Sequence, residues 1–295
     1  ETLWDEYVSF DNLPQILNPE SHFIQNCNSS PFKTTIGEDN PKSENFDDTF
    51  GIETHMTNRA LRALETYGRD NSITYEEFKE YKYDLSYSES SNMKKLVETS
   101  IEILNDQSWN KFNDYIITQS IQTLKNWDLS TNRDNLNAAL PIIAFSKILD
   151  VPIEKIKDST IKDLLSESIN FLVDNYGIIN VKWGEINRII RGDINMPLDG
   201  GPDIARAIYT MEHTKGQRKA TAGDCYILLV QWDKDGKVTS ESIHQYGSST
   251  NDEKSIHYDD QCETFSNNQL KPTSIDVNDI IGNVKDIIIL DKEIN

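Results

Sequence analysis

The strongest constraint on the fold is a change of hydrophobic period partway along the chain. Between residues 57 and 177 apolar side chains recur every three or four positions. The stripes are Met93, Leu96, Val97, Ile101 and Leu104; then Trp109, Phe112, Ile116 and Leu124; then Leu136, Leu140, Ile143, Ala144 and Ile148; and last Leu165, Ile169, Leu172, Val173 and Tyr176. That spacing places each set on one helical face. Gly68 and Gly177 stand where helices should stop, Thr74 and Glu77 have the spacing of a capping box, and Pro141 should bend the third stripe. After residue 223 the period becomes that of strands. Cys225 to Trp232 and Val238 to Tyr246 flank the turn Asp233-Lys234-Asp235-Gly236, a β-hairpin pattern, and Asp286 to Leu290 reads as a last strand. A run of helices followed by a run of strands is the signature of the α+β class.

Three regions follow: an extended segment 1–56, a helical region 57–180, and a Gly/Pro-rich segment leading into antiparallel strands over 181–295. The first contains Leu13-Pro14, Asn18-Pro19, Ser30-Pro31 and Asn40-Pro41, all of which oppose helix. It carries 11 carboxylates against Lys33 and Lys42 alone. An irregular segment this long is uncommon in a compact domain unless it lines a site or wraps another element, which makes it the first place to look for function.

Charge excludes one class of partner. The 295 residues hold 29 Lys+Arg against 49 Asp+Glu, a formal net charge of −20, and no basic stripe interrupts this field, so nucleic acid is not an expected partner. The longest apolar stretch, Ala138 to Phe145, is far short of the roughly 20 residues that cross a bilayer, so no membrane span is expected. Cys27, Cys225 and Cys262 allow one bridge or three reduced thiols. The chain starts at Glu1 with no basic or apolar leader and no Met, and reads as processed or as a fragment.

The motifs are mostly bland. Asp128-x-Ser130-x-Asn132-x-Asp134 imitates a calcium loop but has Arg133 and Ala139 where that loop needs Gly and Glu, and it reads as a helix N-terminus. His22, His55, His213, His244 and His257 form no zinc-spaced pair, so no metal and no cofactor is expected. His257 with Asp259 and Asp260 suggests either a base and its orienting carboxylate or a hydrogen-bonded turn. Gly200-Gly201-Pro202-Asp203 lacks the Lys-Ser/Thr of a phosphate loop. The segment Asn18 to Pro31 says most. A short strand from His22 to Ile24 would deliver Asn26 and Asn28 at i, i+2, both amides on one side, where they could donate to an oxyanion. The alternative is an Asn- and Ser-rich turn bonded to its own backbone.

Four blocks, in order, resemble the penicillin acylase family. Asn18-Pro19 through Asn26-Cys27-Asn28-Ser29-Ser30-Pro31 is similar to its N-P-x-x-x-x-x-x-N-x-N-x-x-P segment. Asn58-Arg59-Ala60-Leu61-Arg62 resembles the arginine-bearing helix that follows. Trp183-Gly184-Glu185-Ile186-Asn187-Arg188 with Gly200-Gly201-Pro202 resembles its W-G-x-x-x-R and G-G-P stretches. Gly223 to Ser249 and His257-Tyr258-Asp259-Asp260-Gln261 resemble the closing part of the acyl-homoserine lactone and aculeacin acylase subgroup.

The resemblance implies an N-terminal nucleophile amidohydrolase with a layered αββα fold, cut by autoproteolysis from a precursor into α and β chains. The nucleophile would be the β chain's N-terminal Ser, activated by its own α-amino group. Residue 1 here is Glu, so the chain looks like the C-terminal part of a β chain with no nucleophile of its own. Its partners would be the α chain, the N-terminal part of the β chain and a small acyl amide: an N-acyl homoserine lactone, a penicillin or a lipopeptide. By the same resemblance Asn28 matches the oxyanion-hole asparagine and Arg59 an arginine that supports the site. Asn26 receives no catalytic role, and the Trp183 and Gly200 blocks are structural. The whole protein would be periplasmic or secreted. The isolated chain could also be a catalytically inert scaffold or binding module. As a fragment it should leave apolar strand edges exposed where the missing half belongs.

Overall fold

The computed structural model describes residues 7–106, 109, 111–282 and 284, arranged as two compact units, Glu1–Gly223 and Asp224–Asn295. In the first unit, residues 7–57 run without helix or strand apart from short 3₁₀ turns. Seven helices follow: α1 (Asn58–Glu65), α2 (Tyr75–Lys82), α3 (Asn92–Asn105), α4 (Asp114–Asn126), α5 (Ala139–Phe145), α6 (Asp158–Tyr176) and the single turn α7 (Trp183–Ile186). Side-chain caps explain most of the starts. Thr57, Thr74, Ser91 and Asn113 each accept a backbone N–H from the first turn of α1, α2, α3 and α4, and at α2 Glu77 reciprocates to complete the capping box. At the other end α6 stops at Gly177, which takes a left-handed conformation that costs glycine little.

The core of this unit forms around α5, which packs against α6, α3 and α4. Leu140, Ile142 and Phe145 meet Leu165, Ile169 and Leu172 there, with Met93 and Leu96, all inaccessible to solvent. At about 1.5–3 kcal/mol for each large apolar side chain buried, these contacts outweigh any local propensity in fixing the helices. Pro141 does not bend the helix as its position in the stripe suggested: α5 begins at Ala139, so the ring occupies the first turn, where no intrahelical N–H is lost, and Leu136 lies outside it. Residues 128–137 are also not a helix start. They are successive side-chain-to-backbone turns, with Asp128 accepting from the Ser130 N–H at 3.0 Å, Asn132 from Asp134 at 2.8 Å and Asn135 from Asn137 at 2.9 Å.

A four-stranded sheet completes the unit: β1 (Asn187–Arg191), β2 (Ile194–Pro197), β3 (Ile208–Glu212) and β4 (Arg218–Gly223), in the order β2-β1-β4-β3. β1 pairs antiparallel with β2 and parallel with β4, and β3 pairs antiparallel with β4. The Gly/Pro-rich stretch therefore holds three short strands and the start of a fourth. In the second unit β5 (Tyr226–Trp232) and β6 (Val238–His244) form the expected hairpin, Tyr226 opposite His244 and Trp232 opposite Val238, and β7 (Lys271–Pro272) adds to β6. The short helices α8 (Cys262–Ser266) and α9 (Val277–Ile281) complete the described residues. Asp286 to Leu290, read as a last strand, lies outside them. β5 is an edge strand whose outward residues Tyr226, Leu228 and Trp232 are exposed, Trp232 by 65%. The three cysteines are unbridged. Helices with antiparallel and mixed sheets make the chain α+β.

Candidate active site

Three segments distant in sequence converge at the N-terminus of α1. The first is the asparagine loop. It is not the strand that the i, i+2 spacing suggested: His22 and Asn28 both have positive φ, 54° in each case, and Asn26 Oδ1 accepts the Asn28 backbone N–H at 3.0 Å. Asn26 thus spends its side chain on closing the loop. Asn28 takes the left-handed conformation that asparagine tolerates better than most residues. The loop is tied to the helix by Thr57, whose hydroxyl donates to the Cys27 carbonyl at 3.0 Å while accepting the Ala60 N–H. The Ser30 N–H donates to the His55 carbonyl at 2.9 Å. Burial raises the Cys27 thiol above its ordinary range, so it stays protonated.

The second element is Arg59, in the first turn of α1. Its Nη2 donates to Asn28 Oδ1 at 3.1 Å. A guanidinium can only donate, so the amide must present its oxygen to Arg59 and its NH₂ group away from it. Asn28 is exposed and its NH₂ has no acceptor among the described residues. The result is an oriented, unoccupied amide donor.

The third element is Asp203, which spacing and motif did not single out. It closes the Gly200-Gly201-Pro202 turn, where Gly200 has φ +96° and donates its N–H to the Thr131 carbonyl at 3.1 Å. The Trp183 indole donates to the Gly200 carbonyl at 2.7 Å and Asn187 Nδ2 to the same oxygen at 3.2 Å. Gly184 fits where a Cβ would press against Pro197 and Arg133, and Arg133 pairs with Asp199 at 2.7 Å. The Trp183 and Gly200 blocks are thus a brace, and Asp203 is what the brace delivers. Only 6% exposed, Asp203 accepts the Asn58 backbone N–H at 2.7 Å through Oδ2, and its Oδ1 lies 3.5 Å from Arg59 Nε. Burial pushes its carboxyl above the ordinary range, while the Asn58 N–H and Arg59 pull the other way. The one clue in the sequence was its place at the end of a block already set apart.

Asn58, also buried, locks the arrangement. Its Nδ2 donates to the Asp203 carbonyl at 2.9 Å and to the Ser86 carbonyl at 3.2 Å, and its Oδ1 accepts the Ser88 N–H at 2.7 Å. Asn58, Asp203, His55 and Tyr87 also line a cavity of about 260 Å³. That is just below the roughly 300 Å³ at which pockets for drug-sized ligands begin. His257, in the second unit, has its Nδ1 2.8 Å from Asp260 Oδ2 while its carbonyl accepts the Ser249 N–H, which makes the segment a hydrogen-bonded turn.

The chain as a whole is similar to known proteins. The family model for penicillin amidase matches residues 1–281. Over 93 residues, 30% of this chain and 12% of the relative, the sequence is 29% identical to the acyl-homoserine lactone acylase PvdQ of Pseudomonas fluorescens. The thermostable penicillin G acylase of Alcaligenes faecalis matches in structure with a TM-score of 0.50 at 14% identity, over 97% of this chain and 60% of that one. The matched region is 12% of the first and 60% of the second, so the chain spans less than two thirds of either.

Proposed function

The chain belongs to the penicillin amidase family, and on that premise we propose that it forms part of an acylase that hydrolyses the amide bond of small N-acyl compounds, with Asn28 as a donor to the oxyanion. The single observation that supports this role is the geometry of the Asn28 amide, whose oxygen is held by Arg59 at 3.1 Å so that its N–H bonds point outward. In acyl transfer the nucleophile's oxygen adds to the acyl carbonyl, whose π electrons move onto its oxygen. The tetrahedral intermediate then collapses, the C–N bond breaks, and the amine leaves with the proton that the nucleophile's hydroxyl gave up to the α-amino group. Water then adds to the acyl-enzyme ester, the C–O bond to the nucleophile breaks, its hydroxyl is re-protonated and the acid is released. Asn28 Nδ2 would hold the negative oxygen in both halves, where a preset donor is worth more than in the ground state. Arg59 supports it without touching the substrate.

In this reading the nucleophile is the N-terminal Ser of a β chain produced by self-cleavage, and it lies outside these residues. The α chain and the rest of the β chain are the macromolecular partners. The exposed face of β5 fits such a partner, since a contiguous apolar patch on a sheet face marks an interaction surface. Acyl-homoserine lactones, penicillins and lipopeptides are the candidate substrates, and the working compartment is the periplasm or the exterior, which cell fractionation of the mature protein tests. The function itself is tested on purified full-length protein with long-chain acyl homoserine lactones, penicillin G and a chromogenic phenylacetyl anilide. Equimolar release of amine and acid from at least one of them is expected. Absence of turnover on all three, from protein that has matured, would leave the inert scaffold as the better account.

A further inference from the structure

We propose that Asp203 is a positioning residue of this site: its carboxylate fixes the Arg59 guanidinium and, through it, the orientation of the Asn28 amide. The proposal rests on the reading of Asn28 as an oxyanion donor given above.

Three polar atoms of Asp203 are spent on holding it still. Oδ2 takes the Asn58 N–H at 2.7 Å, the carbonyl takes Asn58 Nδ2 at 2.9 Å, and the N–H donates to the Tyr209 hydroxyl at 3.2 Å. The fourth, Oδ1, is buried and completes no side-chain hydrogen bond among the described residues, the Arg59 backbone N–H being the other group that favours its charge. Arg59 Nε is in the same condition, and the two face each other at 3.5 Å. A buried donor and a buried acceptor of opposite charge each carry a desolvation cost until they meet, and a few tenths of an ångström would complete their bond. Catalytic hydrogen bonds often stand this long in unliganded proteins and shorten in the complex.

The guanidinium transmits the constraint because it is planar and rigid. Holding Nε sets the direction of Nη2, the atom on Asn28 Oδ1. Without the carboxylate the guanidinium can turn about its last torsions. Nothing would then decide which end of the Asn28 amide faces the substrate, and a flipped amide presents an oxygen to an oxyanion. The far side of Asp203 is stiff, since Asn58 is bonded to Ser88, whose hydroxyl donates to Glu65 at 2.6 Å.

The test uses the matured full-length protein, with competent sites counted by a serine-directed acylating reagent so that kcat is expressed per folded site. Asp203→Asn conserves volume, but its NH₂ must face either the Asn58 N–H or the Arg59 Nε. Both it and Asp203→Ala should lower kcat about 10- to 100-fold, the scale of a small misplacement, with KM changing by less than about threefold. Because Asp203 acts through Arg59, adding Asp203→Ala to Arg59→Ala should lower kcat no further. Unchanged kcat in Asp203→Asn overturns the proposal, and so does a full additional loss in the double variant. If Asp203→Ala yields no competent sites, Asp203→Asn alone decides. Asn28→Ala in the same assay separates the two ideas: if it too is without effect, the reading of Asn28 has failed, whereas an effect of Asn28→Ala beside an inert Asp203→Asn refutes the positioning role alone.

Discussion

Replacing Asn28 by alanine and by aspartate should give opposite orders of stability and activity. Alanine removes the donor, and loss of one oxyanion donor costs about 10²–10³ in kcat, or about 2.7–4 kcal/mol, with little change in KM because the contact forms only in the transition state. It also places a residue with no taste for the left-handed region at φ 54°, at a cost on the order of 1–2 kcal/mol. Aspartate tolerates that backbone, and its carboxylate would accept from Arg59 Nη2 as a charge-assisted bond stronger than the present 3.1 Å contact. Asn28→Asp should therefore unfold no earlier than Asn28→Ala. Its second oxygen, however, would stand where Nδ2 stands now. At about 3.5–4 Å from a developing oxyanion, with an effective dielectric near 20, the repulsion is on the order of 4–5 kcal/mol before Arg59 offsets part of it. Asn28→Asp should thus fall at least about tenfold below Asn28→Ala in kcat. The measurements are initial rates on a chromogenic acyl anilide, corrected for titrated sites, beside thermal melts. A kcat for Asn28→Asp above that of Asn28→Ala would show that the amide's N–H bonds do not face the reacting oxygen.

Gly200→Ala should destabilise by about 3 kcal/mol or more, since a Cβ at φ +96° would run into the Arg206 carbonyl oxygen and come within 2.8 Å of its Cγ; a melting temperature lowered by roughly 6 °C or more is expected, and an unchanged one would remove Gly200 from the brace. Asp203 gives a pH signature of known sign. Burial lifts its folded carboxyl above the ordinary 3.8, so the folded state holds the proton more tightly, and the stability this contributes is complete below 3.8 and falls as pH rises through the folded value. As pH rises above 3.8, Asp203→Asn should lose less stability than the parent in denaturant titrations, and parallel curves would contradict the assignment. On β5, Trp232→Lys should raise the monomer fraction of the 295-residue chain in light scattering, because it charges an exposed apolar edge; no change would mean that this edge does not drive association.

What could be read from the sequence follows the range of the interactions. The helices between 57 and 177 and the hairpin of β5 and β6 were legible because a periodic stripe is a local record of which face is buried. Pro141 misled because periodicity does not show where a helix begins, and a proline in a first turn leaves the stripe intact. Strands β1 to β4 were not legible. They are four to six residues long, separated by tight turns, and joined by a parallel pairing of Asn187 and Arg188 with Arg218 and Lys219 that no local signal marks. The asparagine loop was half legible. Both readings of Asn26 and Asn28 anticipate part of it, because one asparagine makes the turn and the other is left with its amide oriented outward. The meeting of Asn28 and Arg59 followed from resemblance and not from spacing.

Asp203 shows why the rest escaped. It lies 145 residues from Asn58, yet accepts that residue's N–H and faces the guanidinium of its neighbour. Nothing near it in the chain distinguishes an aspartate that ends a Gly-Gly-Pro turn on the surface from one driven into the first turn of a distant helix. What distinguishes them is the brace, and the brace is itself long-range: Thr131 on the Gly200 N–H, Trp183 and Asn187 on the Gly200 carbonyl, Arg133 on Asp199. Each bond contributes on the order of 1 kcal/mol net, too little to fix a carboxylate alone. Converging on the adjacent residues Asp199 and Gly200, however, they remove the freedom that a buried, half-paired carboxylate would use to escape to water. The apolar core around α5 supplies the stability, and the polar brace uses part of it to hold Asp203 where Arg59 needs a partner. An asparagine amide aimed outward from an exposed loop is thereby referred, through two side chains, to the rigid interior of the unit.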